Sequence, residues 1–216
     1  MTDNLSDDAV FGLVADNRRQ LIEMFCGLDD AQWAQTSLCT SWTVRQLAGH
    51  LILPFSTSVP RMMVGVIANG GSFDRFSEKA SRRLGDQPTA QIIDVLRTHT
   101  TSRFKPPGLG PAAPLADTAI HMRDAARPLG LPASPPLSTW RVVLDFMATP
   151  AAKRAFVPSD RLPGLALRAT DQDWSFGTGE EVSGPSEALA LAMAGRTPAL
   201  AELSGAGVAT LRGRLG

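Results

Sequence analysis

Apolar residues recur at helical spacing through most of this chain. Between residues 7 and 27, Val10, Leu13, Val14, Leu21, Met24 and Phe25 fall near i, i+3, i+4 positions. Asp16, Arg18, Arg19 and Glu23 fall mostly elsewhere, so the segment reads as an amphipathic helix with Gly27 as its stop. LDDAQWAQTSLCTSWTV follows as a loop-rich connection carrying Trp33 and Trp42. Thr40 or Ser41 is the expected cap of a second helix, because a hydroxyl there accepts orphan backbone N–H groups. That helix is expected from about Thr43 towards Ala68, with a kink or break near Pro54, since Pro54 and Pro60 each remove an intrahelical hydrogen bond. GGSFDRFSEKASRRLGDQPT reads as a turn, a short polar helix and another turn. Ile92, Ile93, Val95 and Leu96 predict a third helix over about Thr89 to Thr101. After the proline- and glycine-rich KPPGLGPAAP, a fourth helix is expected from near Pro114 to about Pro128–Gly130.

LSTWRVVLDFMATPAAKRAF reads as one more helix, broken at Pro150. The period changes after residue 160. GLALRATD alternates as a strand does, DQDW offers a turn, and WSFGTGEEV is expected to return as a hairpin. GPSEALALAMAGR is a strong helix, with Ser183 or Pro185 at its start and Gly195 at its stop. The tail, AELSGAGVATLRGRLG, allows a final short helix. The expected architecture is mainly α: a four-helix bundle over residues 1–158, then a small α/β module over 159–216.

Charge and composition narrow the function classes. The 216 residues hold 21 Lys plus Arg and 21 Asp plus Glu, for a formal net charge of zero. No charge block stands out, which argues against a dedicated nucleic-acid-binding protein. No apolar run reaches bilayer length, so no membrane partner is expected. MTDNLSDDAV is acidic and polar rather than signal-like, and the expected location is the cytoplasm. Cys26 and Cys39 form no CxxC and no metal-ligand spacing. They read as free thiols in a reducing compartment, both buried as small apolar residues.

Only three histidines occur. His99 lies in the polar RTHTTSR and is expected to be exposed or loosely packed. The other two suggest chemistry. Asp117 and His121 are four apart in LADTAIHMRD, on one face of a helix. His50 lies in the apolar TVRQLAGHLIL. Two imidazoles and a carboxylate would hold a divalent metal and leave at least one coordination position open, as a catalytic site requires. The plainer reading of the Asp117–His121 spacing is a hydrogen-bonded or surface ion pair. The scarcity of histidine and the apolar neighbours favour a shared partner, because burying such groups alone is costly.

Three passages carry a family resemblance in order: TSWTVRQLAGHL, ADTAIHMRDAARPLG and GLALRATDQDWSFGTGEEVSGPSEALALAMAGR. Through them the chain resembles the mycothiol-dependent maleylpyruvate isomerase family, whose N-terminal part is a DinB-like metal-binding four-helix bundle. The resemblance spans nearly the whole chain. It implies His50, Asp117 and His121 as metal ligands, although the family usually carries glutamate at the position of Asp117. It implies that Arg196 serves the active site from the C-terminal module, in catalysis and cofactor binding, where a guanidinium suits a substrate carboxylate. The alternative for Arg196 is a helix C-terminal arginine that meets the last carbonyls. Asp124 would orient a ligand histidine or nearby backbone, or act as a structural cap or salt bridge.

The implied cofactors are a divalent metal, with zinc expected, and mycothiol, a cysteine-based sugar thiol. The implied activity is that of an S-transferase or a cis–trans isomerase. A metal-bound thiolate attacks a small electrophilic substrate, and the metal makes that thiolate available at neutral pH. Two other readings stay open: a non-catalytic metal-binding or ligand-sensing helical protein, and a metal-dependent hydrolase on the same bundle.

Overall fold

The computed structural model describes residues 5–39 and 42–215. The fold is mainly helical with a small three-stranded sheet in its C-terminal part, as the hydrophobic pattern predicts. The chain forms two compact units. One comprises Val14–Phe104 and His121–Ser134; the other comprises Met1–Leu13, Lys105–Ile120 and Pro135–Gly216.

The unit of residues 14–104 and 121–134 takes most of α1 (Asp7–Cys26), then α2 (Asp30–Ala34), α3 (Val44–Ser56), α4 (Val59–Ala68), α5 (Phe73–Gly85) and α6 (Thr89–Thr98). It closes with the end of α7 (Ala112–Ala126). Leu21, Phe25, Leu47, Ile52, Ile92 and Met122 belong to one buried apolar cluster here. α2 replaces part of the expected loop. Asp29 caps it by accepting from Gln32 N at 2.8 Å, while the Gln32 side chain accepts from Asp29 N at 3.0 Å. That reciprocal box satisfies two orphan donors and buries Trp33.

The expected second helix is in fact two. Pro54 lies inside α3, and the chain leaves helical geometry only at Thr57. Pro60 starts α4 instead of breaking it, because at the first turn its missing N–H has no partner to lose. The expected caps Thr40 and Ser41 lie outside the described residues. Thr43 caps α3 through its own box with Gln46.

The segment expected as a short polar helix is the thirteen-residue α5, and it is the main partner of α3. Its buried positions are Phe76, Ser77, Ala80, Ser81, Leu84 and Gly85. They form a stripe of mostly small residues at helical spacing. A Cβ on Gly49 of α3 would stand 2.4 Å from the Ser81 carbonyl oxygen and 2.6 Å from the Gly85 nitrogen. The two backbones therefore touch where side chains would normally separate helices by 8–10 Å. Arg45 locks the contact by donating to Gly85 O at 2.6 Å, the last carbonyl of α5, and to Gln87 O at 2.8 Å just beyond it.

Two other expectations change here. His99 is half-buried; its Nδ1 bonds Val95 O at 2.9 Å, and its ring stacks on Phe55 at 4.5 Å. Arg18, itself buried, explains the order. It donates to the carbonyls of His99, Thr100 and Ser102 and lies over the same Phe55 ring. The cysteines are free but not buried: Cys26 is exposed and Cys39 is half-buried. Cys26 ends α1 on the outer side, where Arg97 donates to its sulfur at 3.1 Å.

The other unit carries the first half of α7, then α8 (Leu137–Met147) and a 3-10 turn at 152–154. It continues through β1 (Leu165–Ala169), β2 (Ser175–Gly177), β3 (Glu180–Gly184), α9 (Ser186–Met193), a 3-10 segment at 197–202 and α10 (Gly207–Gly213). The sheet order is β2-β1-β3. β1 pairs antiparallel with β2, as the expected turn at DQDW requires, with Leu167 opposite Phe176. WSFGTGEEV does not return as a single strand. It breaks at Gly177 and Gly179, both at positive φ, where a Cβ would lie 2.3 Å from Leu165 O and 2.0 Å from Gly164 O. The chain crosses the end of β1 there, and β3 runs parallel to β1 on its far side, with Leu167 opposite Val182. Pro185, not Ser183, precedes α9; Ser183 belongs to β3. Asp171 accepts from Ser186 N and Oγ, which satisfies the first turn of α9.

Gly49→Ala is expected to cost about 2–3 kcal/mol in denaturant unfolding, because backbone atoms on both sides must move. Gly12→Ala, in α1 with nothing within 4 Å of the added methyl, is expected to gain about 0.5–1 kcal/mol. Equal effects at the two glycines would contradict the close helix contact.

Candidate functional site

His50 enters the site through α3, and its surroundings come from the glycine contact. With α5 drawn against α3, the hydroxyls of Ser77 and Ser81 reach His50 Nδ1 at 3.2 and 3.4 Å. Ser81 is fully buried and Ser77 nearly so. One face of the imidazole stacks on Trp42, at 4.8 Å between centroids and 27° between planes. Trp42 is itself fixed at the entry to α3. Its carbonyl accepts from Ser37 N and Ser37 Oγ, and its N–H donates to Cys39 O at 2.8 Å.

His121 enters through α7. It is 8% exposed, and its Nδ1 lies 2.9 Å from an oxygen of Asp124, which is wholly buried. A carboxylate at that distance holds the proton on Nδ1 and sets the ring orientation. Asp124 also ties down the neighbouring loop, since its carbonyl accepts from Leu38 N at 2.9 Å. Asp124 thus meets the His121 ring through its side chain and the loop through its backbone carbonyl. The rings of His50 and His121 meet edge to face at 4.9 Å.

Asp117 lies one turn before His121 on the same helix. One ligand atom from each of His50, Asp117 and His121 lies within 4.8 Å of the others. Both imidazoles engage partners at Nδ1, so Nε2 is the nitrogen each would offer to an ion. Two imidazoles and a carboxylate at this separation suit a divalent metal, with the buried Asp124 supporting one ring as metal-site histidines require. The residues present therefore fit the group that the sequence suggests. Ser77 and Ser81 were not anticipated. Their only signal was the small-residue spacing in FSEKASRRLG, which gains meaning once α3 is known to lie against it.

Arg196 belongs to the other unit, at the end of α9. Its Nη1 donates to Ala194 O at 2.6 Å, a contact of the helix C-terminal kind. Arg161 lies close by and donates to Met193 O at 3.2 Å. Burial lowers the Arg161 pKa from its ordinary value; Asp160 opposes this and the positive charge of Arg196 adds to it. A cavity of about 260 Å³ in the same unit is lined by Met147, Lys153, Leu162, Leu165 and Phe176 among others. None of His50, Asp117, His121 and Arg196 lines it.

Residues 14–145 match the family profile described as the mycothiol maleylpyruvate isomerase N-terminal domain. Two solved structures resemble the chain across 94% of its length and 94% of theirs, both at 15% identity. One is a crystal structure of the mycothiol-dependent maleylpyruvate isomerase, at a TM-score of 0.51. The other is of a mutant of that enzyme, at 0.49. At this identity the likeness concerns the fold. No curated protein matches the sequence.

Replacing Asp124 by Asn removes the charge that holds the His121 tautomer. Asp124→Asn is expected to weaken divalent-ion binding about 10–100-fold, read by calorimetric titration. An unchanged affinity would show that the His121–Asp124 pair serves the fold alone.

Proposed function

The chain belongs to the mycothiol maleylpyruvate isomerase N-terminal domain family, and on that premise we propose that it is a metal- and mycothiol-dependent enzyme acting on a small electrophilic substrate. The reaction class is S-transfer or cis–trans isomerisation. The observation that carries this reading is the convergence of His50, Asp117 and His121, with ligand atoms within 4.8 Å of one another, inside the segment that matches the family.

In this reading His50, Asp117 and His121 hold a divalent ion, and zinc suits two imidazoles with one carboxylate. When bound, the ion supplies a Lewis acid that lowers the pKa of a coordinated thiol. The residues of the chain do the rest. Asp124 keeps the His121 proton on Nδ1, so that Nε2 faces the ion. Ser77 and Ser81 perform the same task for His50 by bonding its Nδ1. Trp42 covers one face of His50 and limits water access from that side. Asp117 has a shorter reach than a glutamate, which favours a compact ligand set. Arg196 is assigned to a substrate or cofactor carboxylate, on the strength of its place in the AGR motif and the capacity of guanidinium for paired hydrogen bonds.

The division at residue 158 belongs to the same proposal. The family match ends at 145, and the three strands all lie beyond 159. A cytoplasmic location, where a thiol cofactor stays reduced, completes the reading. Among the described residues no helix is long and apolar enough to cross a membrane.

Protein purified without chelator is expected to carry about one divalent ion per chain, read by elemental analysis. His50→Ala and His121→Ala should each lose it while keeping the helical circular-dichroism signal. Metal content unchanged in both variants would refute the ligand assignment. Incubated with mycothiol and a panel of small electrophiles, the metal-loaded protein should consume or isomerise substrate only when the thiol is present. Turnover without thiol would favour a hydrolase, and no turnover across the panel a binding protein. Arg196→Lys keeps the charge but loses the paired geometry. It is expected to raise KM by about tenfold or more, the loss of roughly one charge-assisted hydrogen bond.

A further inference from the structure

Among the rings of the cluster, Trp42 carries a polar group with no partner among the described residues. Its Nε1 is buried and meets no hydrogen-bond acceptor among the described residues. Trp174 shows the ordinary arrangement in this same protein, with its Nε1 donating to Asp145 at 2.9 Å. Burying an indole N–H without an acceptor is unfavourable, and native structures avoid it unless water or a ligand completes the bond. Stacking alone does not require the nitrogen, because a phenyl ring would cover the same imidazole face without burying a donor.

The position of the ring indicates what completes it. Trp42 lies 4.8 Å from the His50 ring centroid and 6.1 Å from that of His121, and the two imidazoles are 4.9 Å apart. Three rings thus enclose one corner. Two of them supply nitrogen ligands and the third supplies an unmatched donor. The Trp42 ring thus lies against one imidazole and near the other.

We propose that Trp42 is a ligand-binding residue whose indole N–H donates to a carbonyl-type oxygen of the thiol held at the His50–His121 corner. This rests on the metal–thiol reading and deepens it. It gives the site a preference for thiols with an acceptor oxygen a few bonds from sulfur. An amide carbonyl and a carboxylate share that chemistry, and the test separates them.

The probes are three thiols added to Co(II)-loaded protein: N-acetylcysteamine with an amide carbonyl, 3-mercaptopropionate with a carboxylate, and 1-propanethiol with neither. Binding is read from the sulfur-to-cobalt charge-transfer absorption, so no turnover is needed. Wild-type protein is expected to bind at least one of the oxygen-bearing thiols about tenfold or more tightly than propanethiol, the scale of one hydrogen bond. In Trp42→Phe the ratio of the oxygen-bearing thiol's affinity to that of propanethiol should fall to about one. The probe with the larger loss identifies the acceptor. A preference that survives in Trp42→Phe overturns the proposal while leaving the metal–thiol reading intact. No charge-transfer band with any thiol in the wild type overturns that reading, and this inference with it.

A second measurement needs no variant. In Zn(II)-loaded wild-type protein the indole ¹⁵N–¹H resonance of Trp42, assigned among the four tryptophans by through-space contact with His50, should move downfield with the preferred thiol. A resonance that stays in place at saturation overturns the proposal.

Discussion

The backbone contact between α3 and α5 is the constraint on which the candidate site depends. Gly49 and Gly85 leave no room for a Cβ between the two helices. That approach brings the Ser77 and Ser81 hydroxyls to His50. At an ordinary interhelical distance those short side chains would not reach the imidazole. Arg45 secures the same contact at the end of α5, through the carbonyls of Gly85 and Gln87. Packing, polar satisfaction and the orientation of a candidate metal ligand thus come from one interface.

The His121 side follows a different logic. There a buried hydrogen-bonding partner, Asp124, lies on the same helix and needs no help from packing to find its histidine. Local geometry suffices, because residues three apart on a helix share a face. Tertiary structure contributes the burial. Removing water strengthens the Asp124–His121 interaction and raises the cost of losing either partner. The two histidines are therefore supported by neutral hydroxyls on one side and by a carboxylate on the other.

The helices were legible because apolar periodicity is a local signal. The stripe in residues 7–27, the Thr89 and Pro114 segments and the alanine-rich α9 all appear close to where their patterns put them. So did the Asp117–His121 pair, since its spacing depends only on helical pitch. The errors share a cause. The break expected near Pro54 falls after Ser56, but Pro60 interrupts nothing, because at the first turn of α4 its missing N–H has no partner to lose. WSFGTGEEV returns as the expected hairpin only over β2, because alternation cannot show which neighbour a strand will take. Gly177 and Gly179 divide it and carry β3 to the other side of β1. The polar neighbours of His99 suggest loose packing, yet Arg18, eighty-one residues away in sequence, orders the backbone beneath it.

By itself, then, the sequence determined which residues could act: two of its three histidines, one carboxylate at helical spacing, and the helices that carry them. It also determined α5 as a helix, but not its importance, since a stripe of serine, alanine and glycine looks merely polar until something lies against it. Only the tertiary structure decided that His50 and His121 meet at 4.9 Å, that Ser77 and Ser81 hold the first of them, and that an indole N–H is buried beside both. The physical reason is that local propensity depends on neighbours within a turn or two. Long-range contact depends on complementary shape between segments far apart in the chain, here the absence of two Cβ atoms at Gly49 and Gly85.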